Sequence, residues 1–207
     1  MGKGIFITFE GIDGCGKSTQ LKMTMDWLKE MGHDLIQIRE PGGTVVGEKI
    51  RNILLDKKND SMTSLAELLL YEAARAQITE EVIRPALSEG KVVVSDRFFD
   101  STYAYQGCAR GLGEELVNTL NHIATNNLEP DITICLDISP MDALKRRQAR
   151  GEAEDRLEAL GTSFQEKVRE GYLQLASKDS RVKIIDASST PDEIQAQIRE
   201  YILQKLG

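Results

Sequence analysis

Apolar residues collect into five short runs along this chain, and between them the apolar positions recur at helical spacing. Gly4-Ile5-Phe6-Ile7-Thr8-Phe9 ends at a glycine-rich turn. Leu35-Ile36-Gln37-Ile38, Lys91-Val92-Val93-Val94-Ser95, Ile132-Thr133-Ile134-Cys135-Leu136 and Val182-Lys183-Ile184-Ile185 are of the same type. Such runs, rich in β-branched residues and bounded by turn signals, predict strands. From about residue 17 to 31, Leu21, Met25 and Leu28 share a helical face, and Gly32 ends the segment. Pro41-Gly42-Gly43 marks a turn, and helical patterns cover roughly 45–55 and 63–89. Thr190-Pro191 opens the last helix with an N-cap and a proline at the first helical position. Apolar strands alternating with helices predict a three-layer α/β fold, a five-stranded parallel sheet with helices on both faces. Crossovers should be right-handed, and ligands should sit beyond the carboxyl ends of the strands.

Composition narrows the picture. The 207 residues suit one α/β domain, and no repeat, low-complexity tract or linker divides them. A net charge of −7 argues against nucleic acid as the partner, because backbone binders need a basic face. It leaves room for a single nucleotide held by a local group of Arg and Lys. The apolar runs are too short to span a membrane. Met1-Gly2-Lys3 leads straight into the first strand without the pattern of a signal peptide. Cys15, Cys108 and Cys135 form neither a disulfide framework nor a metal spacing, which fits a reducing, cytoplasmic setting.

The first strand runs into Gly11-Ile12-Asp13-Gly14-Cys15-Gly16-Lys17-Ser18, followed by Thr19. This is the complete G-x-x-x-x-G-K-[ST] pattern. Its glycines let successive backbone N–H groups curl around phosphate oxygens, and the next helix aims its N-terminus at the same anion. Lys17 would reach the β- and γ-phosphates, and the Ser18 hydroxyl would bind Mg²⁺. A chance glycine-rich turn would lack the strand before and the helix after. Asp96 and Asp137 end two other strands at the same edge, and either could hold Mg²⁺ through water. Asp96 is followed at once by Arg97, whereas Asp137 reads more simply as the close of its strand.

Lys145, Arg146, Arg147, Arg150 and Arg156 make the chain basic, with Gly151 among them. Such a run is commonly a solvated helix face. A helix that dissolves into Arg-Gly-Glu-Ala-Glu-Asp-Arg suits a mobile lid better, one that brings cations over a terminal phosphate and excludes water.

Over nearly its whole length the chain resembles the bacterial thymidylate kinase family. The resemblance rests on four motifs in order: Phe9-Glu10-Gly11 through Thr19, Arg39-Glu40-Pro41-Gly42-Gly43-Thr44, Asp96-Arg97-Phe98-Phe99-Asp100-Ser101-Thr102 through Gly107, and Arg150-Gly151-Glu152. It implies a single P-loop kinase domain with a lid at about 146–161, ATP and dTMP as substrates, Mg²⁺ as cofactor, and a homodimer. Residue by residue it implies that Asp13 approaches the 3′-hydroxyl of the acceptor sugar and that Arg97 clamps the acceptor phosphate. Tyr71 falls where the family stacks an aromatic ring, usually Phe, on thymine. Arg75, one turn later, matches the arginine at the base edge, and Thr102 and Gln106 match base-contacting positions. Tyr105 matches the residue crowding the 2′ position, while Glu40 and Arg51 resemble positions lining the acceptor phosphate and Mg²⁺. Arg146 and the turn at Ala187-Ser188 resemble adenine contacts.

One position sets the subtype. Some members carry arginine after the P-loop aspartate, where this chain has Gly14. The resemblance then implies that the lid supplies the transition-state cation, from Arg150 or Arg156, in a lid about one residue longer than the commoner form.

A phosphate monoester is already largely a dianion at neutral pH, with a second pKa of ~6, so such an acceptor needs no general base. A deoxynucleoside kinase would need one, with Asp13 or Glu10 in that role, and another nucleoside-monophosphate kinase is the neighbouring reading. A guanine-reading switch would carry Asn-Lys-x-Asp, yet no asparagine here precedes lysine.

Overall fold

The computed structural model describes residues 4–151 and 156–206, with the backbone alone at Arg150. Five strands, β1 (Ile5–Glu10), β2 (Leu35–Arg39), β3 (Val92–Asp96), β4 (Ile132–Asp137) and β5 (Val182–Asp186), form one sheet in the order β2-β3-β1-β4-β5. Every pairing is parallel. β1 therefore lies at the centre, between β3 and β4, where the strand order reverses and a crevice opens at the carboxyl ends. The register aligns Phe9 with Asp96, Asp96 with Arg39, and Glu10 with Cys135. That alignment brings β1, β2 and β3 to a common edge carrying the chemically interesting residues.

Period-two alternation decides what β1 offers to each face. Ile7 and Phe9 join the larger core with Ile134, Leu21, Val168 and Ile198. Phe6 points the other way, into a second core with Val93, Phe98, Ile78 and Ile83. Thr8 and Glu10 share the Phe6 face, and both are fully buried. Thr8 is satisfied by a 2.6 Å hydroxyl contact to Thr133. Glu10 is reserved for the site. β2 lies at one end of the strand order and is only partly buried, less enclosed than its apolar sequence alone predicts.

The helices are α1 (Lys17–Glu30), α2 (Val45–Leu55), α3 (Ser64–Ile78), α4 (Arg84–Ser88), α5 (Phe99–Thr102), α6 (Glu114–Thr125), α7 (Pro140–Arg150), α8 (Thr162–Lys178) and α9 (Pro191–Leu206). Side chains cap several of them, as free N–H groups at a helix start require. Thr44 Oγ1 accepts from Gly47 N at 2.9 Å, and Ser139 Oγ accepts from Asp142 N at 3.2 Å. Thr190 and Glu193 form a reciprocal capping box, with Thr190 N donating to the Glu193 carboxylate at 2.9 Å. The helical pattern expected over 63–89 is α3 and α4 joined through a π-helical stretch, Thr79–Ile83. A second π-helical stretch, Tyr103–Ala109, continues α5 and carries Tyr105 and Gln106.

Candidate active site

The loop after β1 takes its shape from glycine. Gly14 has φ +92°, and a Cβ there would stand 2.5 Å from the carbonyl oxygen of Ala143 and 3.1 Å from Cγ of Arg147, both on α7. The helix α7, which leads into the expected lid, is thus seated directly on the loop, and any side chain at position 14 would displace it. Lys17 opens α1, buried, and its ammonium donates to Gly11 O at 2.9 Å and Ile12 O at 3.3 Å. It also lies 3.7 Å from Asp13 Oδ1. Ser18 and Thr19 in the same first turn are exposed, and Asp96 at the end of β3 is half-buried.

Arg97 comes directly after Asp96 with φ +71°, a left-handed conformation that costs an L-residue with a side chain of order 1–2 kcal/mol. Its neighbours hold that bend from both sides. Arg97 N donates to Phe9 O at 2.9 Å, and Phe98 N donates to Glu10 Oε1 at 2.7 Å. The bend turns the guanidinium into the crevice. NH2 donates to Asp13 Oδ1 at 2.7 Å and Tyr105 OH at 3.3 Å, and NH1 donates to Ser101 Oγ at 3.1 Å and Tyr172 OH at 3.2 Å. Burial alone would raise the Asp13 pKa. Arg97 and Lys17 outweigh it and hold that carboxyl well below the usual carboxylate range.

Glu10 lies behind this arginine. Its oxygens accept from Phe98 N, from Ser101 Oγ at 2.6 Å and from Tyr172 OH at 2.7 Å. Burial pushes its pKa up, only partly offset by Arg97. Sequence reasoning weighed Glu10 solely as a base and passed over Ser101 and Tyr172. Glu10 and Ser101 fall inside recognisable motifs, but nothing in the local sequence points to Tyr172 on α8.

Next to Arg97 opens a cavity of about 150 Å³. Asp13, Lys17, Glu40, Arg51, Tyr71, Asp96, Arg97, Thr102, Tyr105 and Gln106 all line it, so most of the residues expected at an acceptor site are brought together. Arg51 NH1 donates to Pro41 O at 2.8 Å. Arg75 is placed differently: it is 1% exposed and does not line the cavity. Its Nε donates to Glu40 at 2.9 Å, NH1 to Glu72 at 2.8 Å and to Thr102 and Asn121 at 3.2 Å, and NH2 to Phe98 O at 3.2 Å. It is the buried keystone of the wall on which Glu40 and Thr102 stand. Burial lifts the Glu40 pKa to about 7, against the pull of Arg75 and with a push from Glu72.

The arginines of the expected lid separate. Arg146 NH2 donates to Ala187 O at 2.9 Å and NH1 to Cys15 O at 3.4 Å, which joins the P-loop to the turn expected to meet adenine. Arg156 is buried, donating Nε to Leu54 O at 2.7 Å and standing 2.7 Å from Glu67 Oε2. The side chain of Arg150, and residues 152–155 of the expected lid, lie outside the described residues. Asp137 is paired through both oxygens with Arg169, at 2.6 and 2.9 Å, which fits its reading as a strand-closing residue. Glu67 and Arg110, both near the cavity wall, were missed by sequence reasoning. The one signal for them was Glu67 lying one turn before Tyr71.

A parallel sheet with a phosphate-binding loop at its switch point, and a second cation facing that loop across a cavity, defines a P-loop phosphotransferase. A sequence model described as "Thymidylate kinase" matches residues 9–198. The thymidylate kinase of Thermoanaerobacter sp. (strain X514) is 55% identical over 99% of this chain and 100% of its own length. That of Caldanaerobacter subterraneus subsp. tengcongensis is 57% identical over 84% of this chain and 82% of its own. The crystal structure of thymidylate kinase from Ehrlichia chaffeensis superposes with a TM-score of 0.78 at 32% identity, covering 97% of this chain and 99% of that one. The chain belongs to the thymidylate kinase family.

Proposed function

We propose that this enzyme transfers the γ-phosphoryl group of ATP to dTMP, forming dTDP for dTTP and DNA synthesis. The observation that carries the reading is the pair of cations either side of Asp13, with Lys17 in the loop and Arg97 at the cavity. Two polyanions meeting here need their repulsion offset, and fixed cations on both sides supply that without reorganisation. Arg97, a planar fork, suits a phosphate monoester. Neither carboxylate nearest the reaction is free to take a proton from an acceptor hydroxyl. Asp13 is held ionised by two cations, and Glu10 is enclosed by three donors. A phosphate acceptor needs no base, whereas a nucleoside hydroxyl would, which favours a monophosphate substrate over thymidine.

The other residues take their roles from the same reading. Gly11 to Thr19 and Arg146 hold ATP. Tyr71, Thr102 and Gln106 face the base, Tyr105 the sugar, and Glu40, Arg51 and Arg97 the acceptor phosphate side, with Arg75 supporting the base wall from behind. Mg²⁺ fits this edge, with the exposed Ser18 hydroxyl beside the phosphate loop and the Asp96 carboxylate at the end of β3. Among the described residues no three His, Cys, Asp or Glu side chains form a metal cage, as suits an ion carried in on nucleotide phosphates. When bound it would neutralise charge on the β- and γ-phosphates. Because Arg156 is engaged with Leu54 and Glu67, Arg150 is the lid residue we assign to the γ-phosphate. A cytoplasmic homodimer completes the reading. Ile53 on α2 and Leu65 and Leu69 on α3 are about half exposed, and a second copy would cover them. Among the described residues no helix is long and apolar enough to cross a membrane.

The test is a coupled ADP-release assay offering dTMP, dUMP, CMP, AMP and thymidine in parallel. dTMP should be the best acceptor and thymidine inert. Turnover of thymidine without turnover of dTMP would overturn the assignment.

A further inference from the structure

Glu67 is a fully buried carboxylate on the helix face that carries Tyr71 and Arg75 one and two turns later. Its oxygens receive donors from three directions. Gln106 Nε2 donates to Oε1 at 2.8 Å. Arg110 grips both oxygens, through Nε at 3.2 Å and NH2 at 3.0 Å, and Arg156 NH2 stands 2.7 Å from Oε2. Burial would raise the Glu67 pKa, but these donors outweigh it and hold it below its usual value. At neutral pH Glu67 is therefore an acceptor only, and an amide facing it must present nitrogen. Gln106 is 1% exposed and lines the acceptor cavity, so turning its nitrogen to Glu67 leaves the amide oxygen as the end open to a ligand.

Thr102, one turn away on the same wall, is committed in the same sense. Its hydroxyl has acceptors at 2.7 Å (Phe99 O) and 2.8 Å (Asn121 Oδ1), and it receives Arg75 NH1 at 3.2 Å. With its one proton directed into the wall, the face it turns to the cavity can only accept. Two neighbouring polar groups on the base side of the cavity are thus fixed as acceptors.

We propose that Glu67 is a specificity-setting positioning residue. By holding the amide nitrogen of Gln106 it presents the amide oxygen to the base, so the site takes a pyrimidine with a ring N–H at position 3 and rejects one with a bare ring nitrogen there. This rests on the functional reading above and adds to it a residue that does not itself touch the substrate. Thymine and uracil carry that N–H, whereas the same atom of cytosine is an acceptor. Two acceptors face to face leave buried polar groups unpaired, the kind of mismatch by which a site rejects an analogue. Arg110, together with Arg156 within the expected lid, keeps Glu67 charged and in place.

The experiment compares dTMP and dCMP as acceptors for wild type and Glu67→Gln. A neutral amide at 67 can donate or accept, which frees Gln106 to turn over. The ratio of kcat/KM for dTMP over dCMP should fall at least ~10-fold, carried mainly by the two KM values and less by kcat on dTMP. A uniform loss on both substrates, or no change in the ratio, would overturn the proposal and leave Glu67 a packing residue. If the variant does not fold, wild type supplies the readout. Protonation of cytosine at N3 creates the missing N–H, so dCMP affinity relative to dTMP should rise as pH is lowered toward that ionisation. A relative affinity independent of pH would overturn the proposal equally. A wild type inactive on dTMP defeats the functional reading. A wild type active on dTMP with an unmoved ratio defeats only the role of Glu67.

Discussion

Asp13 and Arg97, both lining the cavity beside the phosphate loop, form a charged pair with Oδ1 2.7 Å from NH2. The same oxygen lies 3.7 Å from Lys17 Nζ, so one carboxylate stabilises two cations that would otherwise repel each other. Its pKa is depressed in the folded protein, and such a group contributes stability above its ordinary range that is lost as pH falls. Asp13→Asn should therefore be less stable than wild type near neutrality, with the gap closing as pH drops below ~4. Denaturant titrations across that range check this. A gap independent of pH would detach Asp13 from its cations.

Arg97 combines its proposed role at the acceptor phosphate with an unfavourable backbone angle, φ +71°. Arg97→Ala should weaken dTMP far more than ATP, because the guanidinium is assigned to the acceptor phosphate alone. Arg97→Gly should bind dTMP as poorly yet be more stable than the alanine variant by ~1 kcal/mol, since glycine accepts this φ without strain. Calorimetric binding and thermal unfolding of the two variants separate the effects. Loss of ATP affinity with dTMP affinity intact would reverse the two ends of the site.

Glu40 should make stability depend on pH in the opposite sense. The folded protein keeps its proton up to about 7, whereas the unfolded chain releases it near the ordinary value of 4.5. The folded state binds more protons in that window, so the contribution of Glu40 is full below it and lost as pH rises through about 7. The stability of wild type relative to Glu40→Gln should decline between those limits by up to about 3 kcal/mol. Parallel unfolding curves at each pH would contradict the assignment.

Gly14→Ala should damage α7 more than the loop. The added methyl meets the Ala143 carbonyl at 2.5 Å in a backbone conformation that disfavours any side chain. A loss of ~2 kcal/mol or more is expected from strain and overlap together, with faster exchange of amides in α7. Unchanged exchange in α7 would show that the helix does not rest there.

Arg150 carries the last prediction. A contact made when the lid closes in the transition state, and hardly before, appears in kcat. Arg150→Ala should lower kcat by at least ~10²-fold with little change in either KM. Arg156→Ala should instead disturb the dTMP KM, because Arg156 is tied to Glu67. Full kcat in Arg150→Ala would move the lid cation elsewhere.

The sheet, its all-parallel sense and the phosphate loop were legible in the sequence because each depends on local pattern. Apolar runs mark buried strands, and the glycine spacing marks a backbone conformation. Thr102, Tyr105 and Gln106 were legible as cavity residues through their motif. The buried position of Arg75 was not, since its five acceptors come from Glu40, Glu72, Phe98, Thr102 and Asn121, most of them far apart in the chain. Tyr172 and Glu67 escaped for the same reason: each acts through partners on other elements. The engagement of Arg156 by Leu54 and Glu67 is likewise long-range.

The π-helical stretch from Tyr103 to Ala109 makes this wall sensitive to chain length. A π-turn holds one residue more than an α-turn, and each residue in a helix rotates the downstream chain by roughly 100°. Deleting a single residue there would let the segment relax to an ordinary α-helix. Tyr105 and Gln106 would then swing away from the cavity, and the packing of this stretch on α8 would have to change with them. The cavity wall formed by Tyr105 and Gln106 is therefore written in residue count as much as in residue type. Point substitutions can tune it, but a one-residue deletion would erase it.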